Sequence, residues 1–306
     1  MIEFQRNDFL PRQKNLSKLM DEVKKTTPPG EWIFRALKKG PTTRKRYIPI
    51  LSSFDKAWNR RTAPPLPSGD RRLYEAWMLR DFKREAYHYL SHLPERDDFL
   101  EWLALGRHYL MPVRLLDFTY SFYIAVYFAV SRLTKDDEGN DKDGWVLAFN
   151  LKWSKEHVEK TLTPRLRKKC NVEDAKAAFQ DKRLFKGFAF DYPEDYVVAV
   201  NPLRRNPRLA AQQGLFLCPG NIEHTFEENL KRTIQHEPHV KKLVLIPLPP
   251  SIRTETMREL RRMNISSASL FRDLPGWAES QGDIVHMDIK DARFKKELKL
   301  ELKQPR

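Results

Sequence analysis

The sequence predicts an α+β fold, a mixed sheet core with flanking helices, and three observations favour this class. Apolar residues make up 41% of the 306-residue chain and aromatic residues 11%, which is enough for a substantial core. Strand-like and helix-like segments are interspersed without the regular alternation of a doubly wound fold. Residues 122–133 repeat apolar side chains at the three-and-four spacing of an amphipathic helix.

The elements are predicted in chain order. Apolar and β-branched runs predict strands at 32–36, 144–149, 196–200 and 240–247, a short extended segment at 114–119 and a last strand at 282–287. Helical spacing predicts helices at 70–89, 98–108, 122–133, 152–180 and 252–263, and one short helix within the first 30 residues. We expect the buried side of helix 70–89 to hold Leu73, Trp77, Arg80, Phe82 and Tyr87.

Composition divides the chain into three parts. Residues 1–30 form a basic arm, 31–287 form the main domain, and 288–306 form a charged tail. Cys170 and Cys218 are the two cysteines of the sequence, which fits a reducing compartment rather than a disulfide scaffold. The sequence begins without the features of a signal peptide and has no apolar run long enough to span a bilayer. We therefore expect a cytoplasmic protein that has no membrane partner.

The formal net charge of +15 and the pI near 9.7 predict a polyanionic partner, with nucleic acid as the first candidate. A basic surface without such a partner is the plainer interpretation. The basic runs that would contact phosphates are Arg44-Lys45-Arg46, Arg60-Arg61 and Arg204-Arg205.

Several common chemistries have no motif in this sequence. It contains neither the glycine-rich phosphate loops nor the nucleophile elbow G-x-S-x-G, and the usual zinc spacings are absent. His88 and His92 lie four residues apart, but no third metal ligand accompanies them, so no metal site is predicted. Phosphate binding would therefore depend on arginines and backbone amides.

Polar residues within apolar segments mark the candidate site. They concentrate between residues 103 and 133, where a polar turn precedes the extended segment and the helix that Thr119 or Ser121 is placed to cap. The candidates are Arg35, Arg107, His108, Arg114, Asp117, Thr119, Arg208 and Gln212.

These residues resemble the FRG domain family, which is named for an F/Y-R-G motif. Phe34-Arg35-Ala36 occupies that motif, with alanine in place of glycine. The central block Q-H-x-G-L-P-T-R-L-L-D-W-T corresponds to residues 107–119, R-I-x-x-Q-x-G-x-F to 208–216, and L-F-P-D-L-x-G to 270–276. Arg107 replaces a glutamine of the block and Val113 a threonine. The resemblance extends over about residues 30–280.

The resemblance implies a fold like that of the ADP-ribosyltransferases and a site that binds NAD as substrate. On this analogy Arg35, Arg114 and Arg208 bind NAD, while His108, Asp117, Thr119 and Gln212 are the catalytic candidates. The third strand of that fold carries a catalytic glutamate, whereas this sequence offers Gln212. Family members occur in bacterial and phage-linked settings. The implied role is a toxin or defence effector that modifies a nucleic acid and is neutralised by an antitoxin or chaperone protein.

Two other hypotheses stay open. A non-catalytic module would bind a nucleic acid or nucleotide through the same basic runs, with Tyr47, Trp58 and Trp77 stacking on bases. Alternatively, Arg114 and Asp117 form an internal ion pair that holds the extended segment against the helix.

Overall fold

The computed structural model describes residues 2–37, 40–41, 47–61, 70–131, 142–171, 181–237 and 239–285. Six strands form one antiparallel sheet in the described chain, in the order β4-β5-β2-β1-β3-β6. The sheet and its surrounding helices confirm the predicted α+β class, whereas the predicted mixed sheet is wrong, because every strand pair in the described chain is antiparallel. The strands are β1 (Trp32–Leu37), β2 (Leu116–Thr119), β3 (Gly144–Asn150), β4 (Val197–Val200), β5 (Gly214–Pro219) and β6 (Leu243–Leu248).

Helices cover both faces of the sheet. The first five are α1 (Leu16–Thr26), α2 (Ser53–Asn59), α3 (Asp70–Tyr89), α4 (Phe99–His108) and α5 (Phe122–Val130). The middle of the chain adds α6 (Leu151–Thr161), α7 (Thr163–Cys170), α8 (Lys182–Lys186) and α9 (Pro207–Ala211). The last four are α10 (Phe226–Ile234), α11 (Arg253–Arg262), α12 (Ser267–Phe271) and α13 (Leu274–Val285). Short 3₁₀ turns lie at Arg6–Asp8 and Pro250–Ile252, and a π-helical turn lies at Gly187–Asp191.

Three apolar cores pack against the sheet. One covers a whole face and includes Ile33, Phe118, Leu147 and Leu217; we call it the common core. The other face is divided between two cores. The α5 core lies over β1, β3 and β6 and includes Phe34, Val126, Val146 and Ile246. The α4 core lies over β4 and β5 and includes Leu103, Val198, Phe216 and Cys218.

Helix α5 is the main departure from the predicted amphipathic pattern. Ser121, one of the two predicted candidates, caps it by accepting a hydrogen bond from the Ile124 amide at 3.4 Å. Its side chains are buried on almost every side. Tyr127, which does not belong to the predicted buried side, is 3% exposed. The helix lies in the centre of the α5 core rather than on its surface, which is typical of a helix that is apolar all round.

Helix α3 has the predicted bounds, but most of the predicted buried side is wrong. Leu73, Trp77 and Tyr87 are 67%, 52% and 74% exposed, whereas Phe82 packs against the α4 core as predicted. The buried residues of α3 are Arg71, Glu75, Leu79 and Ala86. The first three are four residues apart, and Ala86 follows seven residues after Leu79. Two of these four are charged and pair with groups inside the protein, so ion pairs rather than apolar side chains determine which side of α3 faces inward.

The predicted last strand is also wrong within the described residues. Residues 282–285 belong to the end of α13. This helix begins after Asp273, whose carboxylate accepts a hydrogen bond from the Gly276 amide at 2.7 Å. An acidic cap at this position favours a helix over the following residues.

The amino-terminal segment packs against the main domain. Phe4, Leu10 and Leu19 are at most 4% exposed, and the Leu10 amide donates to the Leu245 carbonyl at 2.9 Å. The predicted boundary at residue 30 stays a prediction, but the side chains before it contribute to the cores. Residues 288–306 and the basic run Arg44-Lys45-Arg46 lie outside the described residues. Within the described chain, no helix has the length and apolar character needed to cross a membrane.

Candidate functional site

The candidate site lies at the seam between β1 and β2, where the two halves of the sheet meet. The register joins these strands at one residue pair, Phe34 with Thr119, whereas β1 and β3 are joined at six pairs. Leu116 and Phe118 face the common core, so strand alternation directs Asp117 and Thr119 to the opposite face. That face is the one divided between the α4 and α5 cores, which leaves room for polar side chains at their boundary.

Three charged side chains meet at this seam. Arg107, near the end of α4, binds the Asp117 carboxylate through two nitrogens, with Nη2 to Oδ2 at 2.6 Å and Nε to Oδ2 at 3.0 Å. Arg35 of β1 reaches across the gap between the strands and donates from Nη1 to the Asp117 carbonyl oxygen at 2.5 Å. Its Nη1 lies 3.7 Å from Asp117 Oδ2. The side chains of Arg35, Arg107 and Asp117 are 21%, 27% and 41% exposed, so solvent reaches all three.

The electrostatics of this group favour ionised side chains. Burial would raise the pKa of the Asp117 carboxyl, but the guanidiniums of Arg107 and Arg35 outweigh burial and lower that pKa below its ordinary value. Burial lowers the pKa of the Arg35 guanidinium, and the charge of Arg107 adds to this effect while Asp117 opposes it. Two cations thus share one carboxylate, and the group carries an excess of positive charge.

Thr119 and Gln212 join β2 to the end of α9. The Thr119 hydroxyl donates to the Gln212 carbonyl at 2.7 Å and accepts from the Ser121 amide at 3.0 Å. The Gln212 side chain donates from Nε2 to the Leu270 carbonyl at 3.3 Å. Both predicted catalytic residues therefore lie beside Asp117, and in this structure their polar groups hold neighbouring segments together.

The charge of Arg208 acts on His108. The guanidinium of Arg208 is 4.5 Å from the centre of the Phe271 ring. Burial lowers the pKa of the His108 imidazole, the positive charge of Arg208 lowers it further, and Asp273 opposes them. Burial and Arg208 thus favour the neutral imidazole, which is able to accept a proton.

Three helices beside the site end in left-handed backbone. Leu110 follows α4 with φ 65°, Gln213 follows α9 with φ 45°, and Arg272 follows α12 with φ 55°. A residue with positive φ is a common way for a helix to end, so these residues shape the turns beside the site.

Arg114 does not join the site. It is 1% exposed, and its Nε binds the two carboxylate oxygens of Glu75 at 2.9 and 3.1 Å. Its Nη1 donates to the backbone carbonyls of Ala189, Pro219 and Gly220. The hypothesis of an Arg114–Asp117 ion pair is wrong, because each residue has another partner. The predicted contact between Arg114 and NAD is also wrong. The Arg114 guanidinium is surrounded by protein groups and offers no free face to a ligand.

The described residues of the basic runs separate into two groups. Arg204 and Arg205 are exposed in the loop between β4 and α9. Arg60 and Arg61 follow α2, and Arg61 lies over the Trp58 ring at 4.0 Å. This second group lies toward the opposite end of β5, about 20 Å away at the usual rise per residue of a strand.

The analogy with the ADP-ribosyltransferases gave Arg107 no role, although Arg107 is the main partner of Asp117. Its position in the central block, where an arginine replaces the family's glutamine, is the feature of the sequence that could have identified Arg107 as a site residue. A guanidinium at this position supplies the second cation of the seam. Among the described residues, no group of three or more His, Cys, Asp or Glu side chains is arranged to hold a metal ion.

Comparison with known proteins adds one finding. Residues 31–138 match the family model described as the FRG domain. This range includes Arg35, Arg107, His108, Asp117 and Thr119, while Arg208 and Gln212 lie beyond it. No curated protein and no solved structure matches the chain significantly.

Proposed function

From the FRG domain match over residues 31–138, we propose that the seam between β1 and β2 binds the diphosphate of NAD and that the protein transfers ADP-ribose to a nucleic acid. The observation that supports this proposal is the pair of arginines, Arg35 and Arg107, that share the one carboxylate of Asp117. Guanidiniums bind phosphate oxygens in the same bidentate manner as carboxylate oxygens. A diphosphate therefore replaces Asp117 as their partner without a change in the surrounding fold.

The release of Asp117 supplies the carboxylate for the reaction. In ADP-ribosyl transfer, the bond between the ribose carbon and the nicotinamide nitrogen breaks, and its electron pair leaves with nicotinamide. The ribose carbon then carries positive charge, which a nearby carboxylate stabilises. A nucleophile of the acceptor forms the new bond to that carbon and gives its proton to the neutral imidazole of His108.

The basic charge of the chain supports a nucleic acid as acceptor. Arg204 and Arg205 are exposed just before α9, the helix that carries Arg208. A bulky ADP-ribose group on a nucleic acid would block its use as a template and harm the cell. A toxin or defence role follows, with an antitoxin or chaperone protein as the neutralising partner.

The direct test incubates the purified protein with ³²P-labelled NAD and, separately, RNA, single-stranded DNA or a protein mixture. We expect label on RNA or DNA together with release of nicotinamide, and loss of both in Arg35→Ala. Expression in a bacterial host should slow growth for the wild type and not for Arg35→Ala. Absence of transfer and of nicotinamide release with every acceptor would rule out the enzyme.

A second candidate function is a non-catalytic nucleotide-binding module. The observation that favours it is that Asp117 is already neutralised by two arginines, which weakens its ability to stabilise a developing cation. Asp117→Asn distinguishes the two functions. It removes the negative charge that competes with a phosphate, so ADP-ribose binding should be maintained or strengthened in both cases.

Transfer of ADP-ribose should be lost in Asp117→Asn only if the carboxylate takes part in catalysis. A matched control is Asp143→Asn, because Asp143 forms an exposed ion pair with Arg12 at 2.7 Å far from the seam in sequence. This control should alter neither binding nor transfer. Calorimetric titration with ADP-ribose and the labelled-NAD assay measure the two properties separately.

A further inference from the structure

Helix α3 presents apolar and aromatic side chains to solvent. Leu73, Tyr74 and Trp77 are 67%, 41% and 52% exposed and lie on one side of its first half. They remain outside because α3 is fixed in the opposite orientation by buried ion pairs of Arg71 with Asp55 at 2.5 Å and of Glu75 with Arg114. Exposed aromatic side chains grouped in this way are typical of a binding surface.

These aromatic rings continue into α2 as a ladder. The rings of Phe54 and Trp58 are stacked, with centres 5.9 Å apart and planes at 19°. Trp58 meets Tyr74 edge to face at 5.5 Å, and Tyr74 meets Trp77 in the same way at 6.4 Å. Phe54 is buried and Trp77 is half exposed, so the ladder is anchored in the protein at one end and reaches solvent at the other. We call Trp58, Tyr74 and Trp77 the aromatic ladder.

Arginines flank the aromatic ladder. The Arg61 guanidinium lies 4.0 Å from the Trp58 ring centre, and that of Arg71 lies 5.4 Å from it. Arg61 is half-buried, and its Nη1 is a buried atom without a hydrogen-bond partner among the described residues. Arg60 and Arg72 are exposed.

A cleft adjoins the aromatic ladder at the start of α3. Its volume is about 320 Å³, and Arg72 and Leu73 form one wall while Asn221, Ile222 and Glu223 form another. Glu223 is the acidic group of this cleft, and one of its carboxylate oxygens accepts a hydrogen bond from the Arg72 amide at 2.9 Å. The cleft extends the exposed surface beyond Tyr74.

We propose that the α2–α3 face is a binding site for single-stranded nucleic acid, with bases stacked on Tyr74 and Trp77 and phosphates held by Arg60, Arg61 and Arg72. The ring centres of Trp58 and Tyr74 lie 5.5 Å apart, those of Tyr74 and Trp77 lie 6.4 Å apart, and the Arg61 guanidinium lies over Trp58. This arrangement offers stacking surfaces for bases beside a cation for phosphates. The net charge of +15 favours this polyanion over a protein partner, for which an apolar face alone would suffice.

The α2–α3 face is separate from the seam. Arg71 donates from Nε to the Ile222 carbonyl, just beyond the end of β5, whereas Gly214 at the start of β5 pairs with Thr119 at the seam. The six residues of β5 put about 20 Å between them. A role of this face in presenting the acceptor rests on the proposed transferase function. Binding of a single-stranded nucleic acid to the face does not depend on that function.

Binding is measured by fluorescence anisotropy, without NAD, on the full chain. The probes are a fluorescein-labelled 15-nucleotide oligouridylate, the same length of oligothymidylate, and a duplex of equal length. We expect the single strands to bind more tightly than the duplex. Trp77→Ala should weaken their binding about 5- to 150-fold, the range found when one stacking aromatic side chain is removed, and Trp77→Phe should retain most of it.

The arginines are tested by the dependence of binding on salt. Each phosphate contact to a single strand contributes about 0.7 to the slope of log affinity against log salt concentration. The double variant Arg60→Ala, Arg61→Ala should therefore reduce the slope by about 1.4, whereas Arg262→Ala, an exposed arginine of α11, should leave it unchanged.

A matched aromatic control lies on the same helix. Tyr87 is 74% exposed and its ring contacts the neighbouring His88, so Tyr87→Ala should leave oligonucleotide binding unchanged. Equal losses in Trp77→Ala and Tyr87→Ala, duplex preferred over single strand, or absence of binding would each overturn the proposal. So would self-association in sedimentation that Trp77→Ala abolishes while oligonucleotide affinity stays the same, because the face would then be a protein interface.

The same assay separates this proposal from the proposed transferase. Trp77→Ala tests oligonucleotide binding at the α2–α3 face, whereas Arg35→Ala tests ADP-ribosyl transfer at the seam. A protein that binds the oligonucleotide but transfers no ADP-ribose contradicts only the transferase. A protein that transfers ADP-ribose with full activity in Trp77→Ala, and binds no oligonucleotide, contradicts only the α2–α3 site.

Discussion

Arg107 and Arg114 lie seven residues apart in one segment, and each binds a carboxylate through two nitrogens, yet their surroundings differ. Arg114 and Glu75 are both 1% exposed, and the rest of the Arg114 guanidinium is covered by three carbonyls and the Phe190 ring. The Arg107–Asp117 pair is open to solvent on one side, with Asp117 41% exposed. The first pair binds α3 to the sheet, while the second is accessible to a ligand.

The two pairs differ in what can bind the arginine once its carboxylate partner is lost. For Arg114 no molecule from solvent reaches the guanidinium, so the loss of Glu75 leaves a buried charge without compensation. For Arg107 a phosphate or water takes the place of Asp117 at little cost. An ion pair of a sequence motif is therefore a candidate binding site only where solvent reaches it.

The largest effect that this comparison predicts is on stability. Arg114→Met leaves Glu75 buried without its partner and three carbonyls without their donor, and should lower the free energy of unfolding by about 3–5 kcal/mol. Arg107→Met should cost about 1 kcal/mol or less, because its carboxylate partner is hydrated. Urea unfolding of the two variants measures the difference. Similar losses in both would contradict the distinction between a buried and an open pair.

The second prediction concerns His108 and the open pair. Burial and the charge of Arg208 lower the pKa of His108. The negative charge of a bound diphosphate would raise this pKa, because it favours the imidazolium. Affinity for ADP-ribose, whose diphosphate stays ionised, should therefore rise as pH falls from about 7.5 to about 5.5, a range that spans the ordinary histidine pKa. If the ligand raises the pKa by one unit, the gain is about tenfold. Calorimetric titration across this range measures the affinity.

Stability without ligand should change in the opposite direction. The lowered pKa means that the unfolded chain binds the proton more tightly than the folded chain does. The folded state therefore loses stability as pH falls below about 6.5, the ordinary value for histidine. His108→Gln should remove the histidine contribution to both pH dependences. Unchanged pH profiles in His108→Gln would exclude His108 as the titrating group.

The elements were more predictable from the sequence than the contacts between them. Periodicity gave the bounds of α3 and placed β1 and β3 within one residue of the observed ends. It did not give the buried side of α3, because Arg71 and Glu75 turn inward to partners distant in sequence. A pattern of apolar residues carries no information about such ion pairs, so Trp77 was expected inside and lies outside.

At the site, too, the strands are more predictable from the sequence than the side-chain contacts are. Asp117, Arg35 and Thr119 meet because the strands that carry them pair, and strands can be recognised from their residues. The hypothesis of an Arg114–Asp117 ion pair ignores that the two residues lie three apart in an extended segment, where alternation directs them to opposite sides. The partner of Asp117 is Arg107, which approaches from the end of α4 and which this spacing does not indicate.

The smallest predicted effect concerns the turn that holds Arg107 and His108. Helix α4 ends in a Schellman motif, with the Met111 amide donating to the Gly106 carbonyl at 2.8 Å and the Leu110 amide to the Arg107 carbonyl at 3.3 Å. Leu110 occupies the left-handed position of this motif, with φ 65°, where glycine is usual and where the FRG block itself has glycine.

Leu110→Gly should raise the free energy of unfolding by up to about 1 kcal/mol, because the relief of left-handed strain exceeds the entropy that glycine loses on folding. Leu110 is 79% exposed, so little burial is lost with its side chain. Tyr109→Gly is the matched control: its φ of −91° needs no glycine, and the substitution should destabilise. Thermal unfolding of both variants measures these shifts. If Leu110→Gly also weakens ADP-ribose binding, then the leucine contacts the ligand at the open pair, whereas unchanged binding limits its role to the turn.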